Sequence, residues 1–310
     1  MRQVDQLRFL NPFTSQAGKE IARRYGEELL AEFISPRRSF GAHIGRAFGP
    51  IGTGKTALLL LLTRAFLLKG WTVIWRGRPY FELYRMSRKW RKLVRIWVPE
   101  GSEIKFVVEP HRKKVEVEYN TYIDEYDLLM QIRESGRGKV HWVWPSPVPE
   151  IPTWLEETGR AEEANTEAVF WYNVTRYART YLAKTGTAMF FDEAKELWPM
   201  SAPNPDWHIN RRQSSVLADF RKAEIAAVIA SHNYTDIDAN VRGICDFTFW
   251  MGGARVPKHY DGLVDPKVVR HAPAGTAFIE YRKFGIINVP LEKFDDRGES
   301  WIAVVRAKRD

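Results

Sequence analysis

Cysteine is almost missing from this chain: Cys245 is the only one in 310 residues, which excludes a disulfide framework and a cysteine-based zinc site. The seven histidines form no HExxH pair or other metal-ligand spacing, so a protein-caged metal is not expected and any metal should arrive with a ligand. Long apolar runs are lacking too. The most apolar stretch, Ala57 to Leu68, contains Arg64 and falls short of the roughly 20 apolar residues that cross a bilayer, so no stable membrane span is expected. The opening MRQVDQLRFLNPFTSQ has no apolar core followed by a small-residue cleavage site, which argues against a secretory signal and for a cytoplasmic protein. There is no internal repeat and no low-complexity segment.

What remains is an ordinary globular composition, with 45% apolar and 27% charged residues, in a chain long enough for one large domain with insertions. A net charge of +9 and a pI of about 9.5 favour anionic partners through long-range attraction without identifying one.

Hydrophobic patterning supplies the elements. Ala17 to Phe33 carries apolar residues at helical spacing and should end at Pro36. Ala42 to Phe48 predicts a strand, Thr56 to Leu68 an apolar helix, and Trp71 to Trp75 a buried strand whose return through a helix implies parallel pairing. Ile104 to Val108 and Val115 to Tyr119, around a basic turn at His111 to Lys114, predict an exposed antiparallel hairpin inserted into the core. Further strands are expected at Lys139 to Trp144, Thr187 to Phe191, Ile225 to Ala230 and Phe247 to Met251. Helices are expected at Ala161 to Ala183, Val216 to Lys222 and Ile237 to Ile244, and a terminal hairpin joins Ala277 to Tyr281 and Ile286 to Leu291. The implied division is a helical segment over 1–40, a core over 41–255 with an insertion around 85–150, and a β-rich extension over 256–310.

Between the first strand and helix lies GPIGTGKT, Gly49 to Thr56. In the pattern GxxxxGK[ST], glycines let the backbone wrap phosphates with its N–H groups at a helix N-terminus. Gly49, Pro50, Ile51, Gly52, Thr53, Gly54, Lys55, Thr56 and Ala57 are therefore the expected nucleotide contacts. Lys55 would reach the β- and γ-phosphates, and Thr56 would ligate Mg²⁺. The second element is MFFDE, Met189 to Glu193: an acidic pair at the end of a buried strand. Asp192 would complete the Mg²⁺ shell and Glu193 would polarise the attacking water. The cofactors expected are ATP and Mg²⁺. The fold expected is α/β, a RecA-like (ASCE) P-loop NTPase core with a mainly parallel sheet flanked by helices, plus β-hairpin insertions.

FFDEAKELW, Phe190 to Trp198, followed by FRKAEIAAVIASHN, Phe220 to Asn233, resembles the HerA/FtsK class of DNA-pumping ATPases, which includes viral genome-packaging ATPases. In that class an arginine-ended helix leads into an apolar strand that stops at a polar triplet. Arg221, Ile225 to Ala230, and Ala230, Ser231 and His232 occupy those places, His232 standing where glutamine is usual. The resemblance implies a homo-oligomeric ring, hexamer or pentamer, acting on double-stranded DNA, with an arginine from one subunit completing its neighbour's site. Arg221 and Arg242 are the first candidates for that arginine, and Arg211 and Arg212 follow. It also implies a capsid or portal vertex protein as partner, in the host cytoplasm or with the virion. Filamentous-phage assembly (Zot-like) and conjugation ATPases share the core, and a nucleotide-switch regulator or replication initiator is the rival of a different kind. RMSRKWRKLVR, Arg85 to Arg95, puts six cations and Trp90 in eleven positions, a stripe suited to phosphate contacts or to a solvated helix face. The hairpin tip at His111 to Lys114 is a second candidate DNA contact.

Overall fold

A computed structural model describes residues 16–35, 41–290 and 300–307. The predicted stop at Pro36, the last residue of the predicted terminal hairpin, Leu291, and the extreme ends of the chain lie outside the described residues. In chain order the main elements are α1 (Gln16–Ile34), β1 (Ile44–Phe48), α2 (Lys55–Leu68), β2 (Thr72–Arg76), β3 (Val94–Pro99), β4 (Ser102–Glu109), β5 (Lys113–Val115), β6 (Asn120–Tyr122), α3 (Glu125–Glu134), β7 (Val140–Val143), α4 (Thr166–Tyr181), β8 (Thr187–Phe191), α5 (Asp206–Ala223), β9 (Ile225–Ser231), β10 (Phe247–Met251), β11 (Thr276–Glu280), β12 (Phe284–Asn288) and β13 (Ser300–Ala307).

Ten of the strands form one sheet in the order β12, β11, β10, β1, β9, β8, β2, β7, β3, β6. Pairing is parallel from β10 through to β6 and antiparallel only where β11 and β12 extend the sheet. Parallel strands covered on both faces need apolar side chains in both directions, which is why these strands read as continuous apolar runs. Along β8, Met189 and Phe191 belong to one core layer and Ala188 and Phe190 to the other. α3, α4 and α5 cover the first layer, and α1 and α2 cover the second. The crossover from β1 through α2 does not return to a neighbouring strand, since β9 and β8 lie between β1 and β2. This strand order, together with the phosphate loop, gives the chain a RecA-like P-loop NTPase fold. None of the helices among the described residues is long and apolar enough to cross a membrane.

α1 lies unusually close to β12. A Cβ added at Gly26 would sit 2.2 Å from the Ile286 carbonyl oxygen, and one at Gly285 would sit 2.1 Å from the Gly26 nitrogen. Only glycine at both positions permits this backbone-on-backbone contact.

Three expectations change. The hairpin is inserted between β3 and β6, but its first arm is not exposed: β4 buries Ile104, Phe106 and Val108, and β13 pairs along its whole length, giving a separate sheet ordered β13, β4, β5. Its second strand is Lys113–Val115 and stops short of Tyr119. The Arg85 to Arg95 stripe is not one helix: Glu82–Arg85 is a 3-10 turn, Arg88–Arg91 a single helical turn, and Val94 already begins β3. The helix expected over Val216 to Lys222 begins ten residues earlier, at Asp206, where polar residues mask the helical period.

Candidate functional site

The loop after β1 is shaped by its glycines. Gly52 and Gly54 have φ of 80° and 102°, left-handed values that other residues rarely adopt, and a Cβ at Gly49 would meet Met251 Cβ at 2.6 Å. Thr53 Oγ1 donates to the Pro50 carbonyl at 2.7 Å, and Gly275 N donates to the Thr53 carbonyl at 3.1 Å, so the turn before β11 braces the loop from outside. α2 then begins at Lys55 with no acidic residue in its first turn, which leaves the positive end of its dipole uncompensated by side chains.

Because β1, β9, β8 and β2 run parallel, the segments that follow them meet at one sheet edge. They enclose a cavity of about 670 Å³ lined by Lys55, Thr56, Asp192, Glu193 and His232, with Arg78, Tyr80, Glu82 and Arg85 on its far wall. Pro50, Ile51, Gly52, Gly54 and Ala57 also line it, while Gly49 and Thr53 lie beneath and shape the loop.

Lys55 is buried, and all three of its N–H donors face protein acceptors: the Gly49 carbonyl at 2.6 Å, the Pro50 carbonyl at 3.3 Å and His232 Nδ1 at 2.9 Å. Burial lowers the pKa of its ammonium, against the opposing pull of Glu193 and Asp192. An ammonium has no acceptor, so Nδ1 of His232 must accept and Nε2 carries the hydrogen. That Nε2 faces Glu193 Oε1 at 3.0 Å. Lys55, His232 and Glu193 therefore form one hydrogen-bonded chain across the cavity. The other carboxylate oxygen of Glu193, Oε2, is buried without a partner, and the residue adopts φ 50°, a strained left-handed conformation of the kind that gathers at functional sites. Asp192 is buried, and its Oδ1 accepts the Glu193 N–H at 3.0 Å.

One determinant of this geometry carries no sequence motif. Arg76, the last residue of β2, is 1% exposed. Its Nη1 donates to the carbonyls of Asp192 and Glu193 at 2.7 and 3.1 Å, its Nε to Glu167 Oε1 at 2.7 Å, and its Nη2 to Glu196 Oε2 at 2.8 Å. The guanidinium thus ties the acidic turn to α4 and to the segment after β8. Glu196 also holds Arg78 of the cavity wall, at 2.8 Å. On the same wall Glu82 pairs with Arg85 at 3.1 Å, and burial raises the Glu82 carboxyl above its ordinary range. Sequence patterning offered no signal for Arg76 beyond its place at a strand end, because its partners lie far along the chain.

The arginine candidates are elsewhere. Arg221 is in the last turn of α5, at the opposite edge of the sheet, where its Nη2 donates to the Ile244 carbonyl at 2.9 Å and lies 3.6 Å from Asp246. Arg242 is packed against Tyr234: it is 8% exposed, with its guanidinium 4.1 Å from the centre of the Tyr234 ring and Nη1 on the Tyr234 carbonyl at 3.0 Å. Arg211 and Arg212 are exposed and lie over Trp207 and Trp154.

Among the described residues there is no cluster of three or more His, Cys, Asp or Glu that could hold a metal ion. Mg²⁺ needs only one or two protein ligands when phosphate oxygens and water supply the rest, and the two residues expected to provide them, Thr56 and Asp192, both line the cavity.

No protein-family model and no curated protein matches the chain. Solved structures similar to it include the genome packaging NTPase B204 from Sulfolobus turreted icosahedral virus 2 in complex with ATP-gammaS, at 12% identity over 79% of this chain and 95% of that one, with a TM-score of 0.44. The bacterial conjugative coupling protein TrwBdeltaN70 is 12% identical over 88% of this chain and 94% of that one, with a TM-score of 0.49. The N-terminal domain of zonular occludens toxin from Neisseria meningitidis is 10% identical over 87% and 96%, with a TM-score of 0.29. The fold assignment rests on strand order and the phosphate loop, not on these likenesses.

Proposed function

We propose that this chain hydrolyses ATP and uses the energy to move double-stranded DNA as a homo-oligomeric ring, in the role of a viral genome-packaging motor. One observation carries the hydrolytic part: Lys55, Thr56, Asp192, Glu193 and His232, from three separate segments, line one cavity. The DNA part rests on the resemblance of Phe190 to Trp198 and Phe220 to Asn233 to DNA-pumping ATPases and on the net charge of +9.

In this reading the N–H groups at the start of α2 and the Lys55 ammonium take the triphosphate, whose oxygens compete with Gly49, Pro50 and His232 for the three lysine donors. Mg²⁺ brought by the nucleotide would be held by Thr56 and Asp192, where it neutralises charge on the phosphates. Glu193 accepts a proton from a water as that water's oxygen bonds to the γ-phosphorus, and the bond from phosphorus to the β,γ-bridging oxygen breaks, releasing ADP and phosphate. His232 holds Glu193 through Nε2 and touches Lys55 through Nδ1, so the group that senses the phosphates is bonded to the group that activates water.

Lys55→Ala should abolish nucleotide binding, and Glu193→Gln should retain binding while slowing turnover by about 10² or more. ATPase rate with and without duplex DNA, combined with mass measurement of the nucleotide-bound assembly, tests the rest. A monomer whose ATPase rate ignores DNA would overturn the motor and favour a nucleotide switch.

A further inference from the structure

The sheet edge opposite the cavity gathers six cations. Lys92 precedes β3 and Arg95 lies within it; Arg133 is in the last turn of α3; Arg137 and Lys139 occupy the turn into β7; Lys184 precedes β8. Since β8, β2, β7 and β3 are adjacent and parallel, these residues share one edge. Close contacts confirm the grouping. Val140 N donates to the Leu93 carbonyl at 3.0 Å, Arg95 stands in register with His141, and Arg137 Nη2 reaches the Lys184 carbonyl at 3.4 Å. Arg133, Arg137 and Lys184 line one cleft of about 220 Å³. The turn that carries Arg137 and Lys139 depends on Gly136 and Gly138, at φ 82° and 75°.

The partners of these cations are neutral. Arg95 donates to the Lys92 and Val94 carbonyls at 3.1 Å each, and Lys139 to the Ser135 carbonyl. No carboxylate among the described residues forms an ion pair with any of the six, whereas Arg179 is matched to Asp219 at 2.8 Å and Arg76 to two glutamates. His141, buried beneath them, accepts from Trp97 Nε1 at 2.9 Å. Burial first, then Lys139 and Arg95, push its pKa down to about 3.

We infer that this edge is the surface on which the phosphate backbone of duplex DNA lies, away from the nucleotide cavity. The inference rests on the reading of the chain as a DNA-moving ATPase and adds where the DNA is held. Uncompensated cations repel one another and draw a polyanion. Four adjacent strands span roughly 14 Å at about 4.8 Å spacing, and a duplex presents one charge per about 1.7 Å of its axis, so several phosphates can be met together. Arginine and lysine contacts to the backbone alone read no sequence, which suits a protein that must track along DNA.

The test compares the native chain with two triple variants by fluorescence anisotropy on a duplex of arbitrary sequence, between roughly 50 and 200 mM salt. The edge variant is Arg95→Gln, Arg137→Gln and Lys139→Gln, and the hairpin variant is Lys105→Gln, Lys113→Gln and Lys114→Gln. The edge variant should bind DNA at least about tenfold more weakly, with a slope of log K against log salt smaller by about 2 to 3, at about 0.9 per lost phosphate contact. Its DNA-independent ATPase rate and melting temperature should match the native chain. Native DNA affinity in the edge variant, or a loss confined to the hairpin variant, overturns the proposal while leaving the motor reading intact. If the native chain binds no duplex but binds anionic lipid vesicles through the same residues, both fall.

Discussion

Replacing Arg76 by methionine isolates what the guanidinium does, because methionine keeps the unbranched stem and removes only the charged head. Four hydrogen bonds disappear, two to main-chain carbonyls of the acidic turn and two to carboxylates. Stripping one partner from a buried charge network costs about 3 to 5 kcal/mol. Glu167 and Glu196 are 30% and 43% exposed at their side chains and can rehydrate, so the lower end, about 3 kcal/mol, applies. At about 2 °C per kcal/mol for a chain of this size, the melting temperature should fall by roughly 6 °C. The larger effect should be on catalysis. With its two carbonyls released, the strained turn at Glu193 relaxes, and kcat should fall by about 10². Nucleotide affinity should stay within a few-fold, since the loop around Lys55 is untouched. Single-turnover hydrolysis, equilibrium binding of a fluorescent nucleotide and a thermal melt separate these quantities, and Arg76→Lys, which keeps the charge, should recover stability more than rate. An Arg76→Met protein that melts lower but turns over at the native rate would show that Arg76 only supports the fold.

Gly26→Ala should destabilise by at least about 2 kcal/mol, because its methyl would overlap the Ile286 carbonyl and neither backbone can retreat without unpairing β12; urea unfolding measures it. Burial pushes the Glu125 carboxyl up from its ordinary 4.5 to about 7, so the folded state holds a proton that the unfolded chain has lost, and stability falls as pH rises through that window. Glu125→Gln should therefore gain stability over the native chain between pH 5 and 8, by at most about 3 kcal/mol, and equal melting differences at both pH values would refute the assignment. Ala303→Pro deletes the N–H that donates to the Pro79 carbonyl at 2.6 Å, a bond worth about 1 kcal/mol; nucleotide affinity should drop about fivefold if β13 steadies the wall at Tyr80, and isothermal titration would read the change.

The local pattern revealed what local physics determines. Glycine and lysine spacing marks the phosphate loop, and continuous apolar runs mark β8, β9 and β10 within a residue or two of their observed ends. Strand order is not local. That β9 and β8 lie between β1 and β2 decides which loops meet, and it follows from long-range packing that no window of sequence displays. β3 and β6 were hidden for another reason: β3 grows out of a basic run that reads as a helix face, and β6 has three residues, too few for any period. β13 and β4 find each other across some two thirds of the chain, so β4 alone reads as an exposed hairpin arm and β13 only as part of a β-rich extension. Arg76 is the sharpest case. Arginine at a strand end is ordinary, and only the meeting of β2 with the turn after β8 makes it the residue that holds two carbonyls in place.

These facts place three demands on one sheet. Its C-terminal edge carries the phosphate loop, the acidic turn and His232; its N-terminal edge carries unmatched cations; and β2, β7 and β8 run between the two, buried along their length. A strand packed on both faces does not bend independently of its neighbours, so β8 and β2 join the turn at Asp192 and Arg76 to the opposite edge as closely packed elements. The far wall of the cavity is coupled separately, because Pro79 and Phe81 hydrogen-bond to Ala303 and Trp301 of β13, which is paired in turn with β4. The cavity at Lys55 and Glu193 is thus joined to the rest of the molecule by two packed routes, one through the parallel strands to the basic edge and one through β13 to the small sheet. In the proposed motor, the first, which ends at the basic edge, is the route by which hydrolysis would act on a duplex.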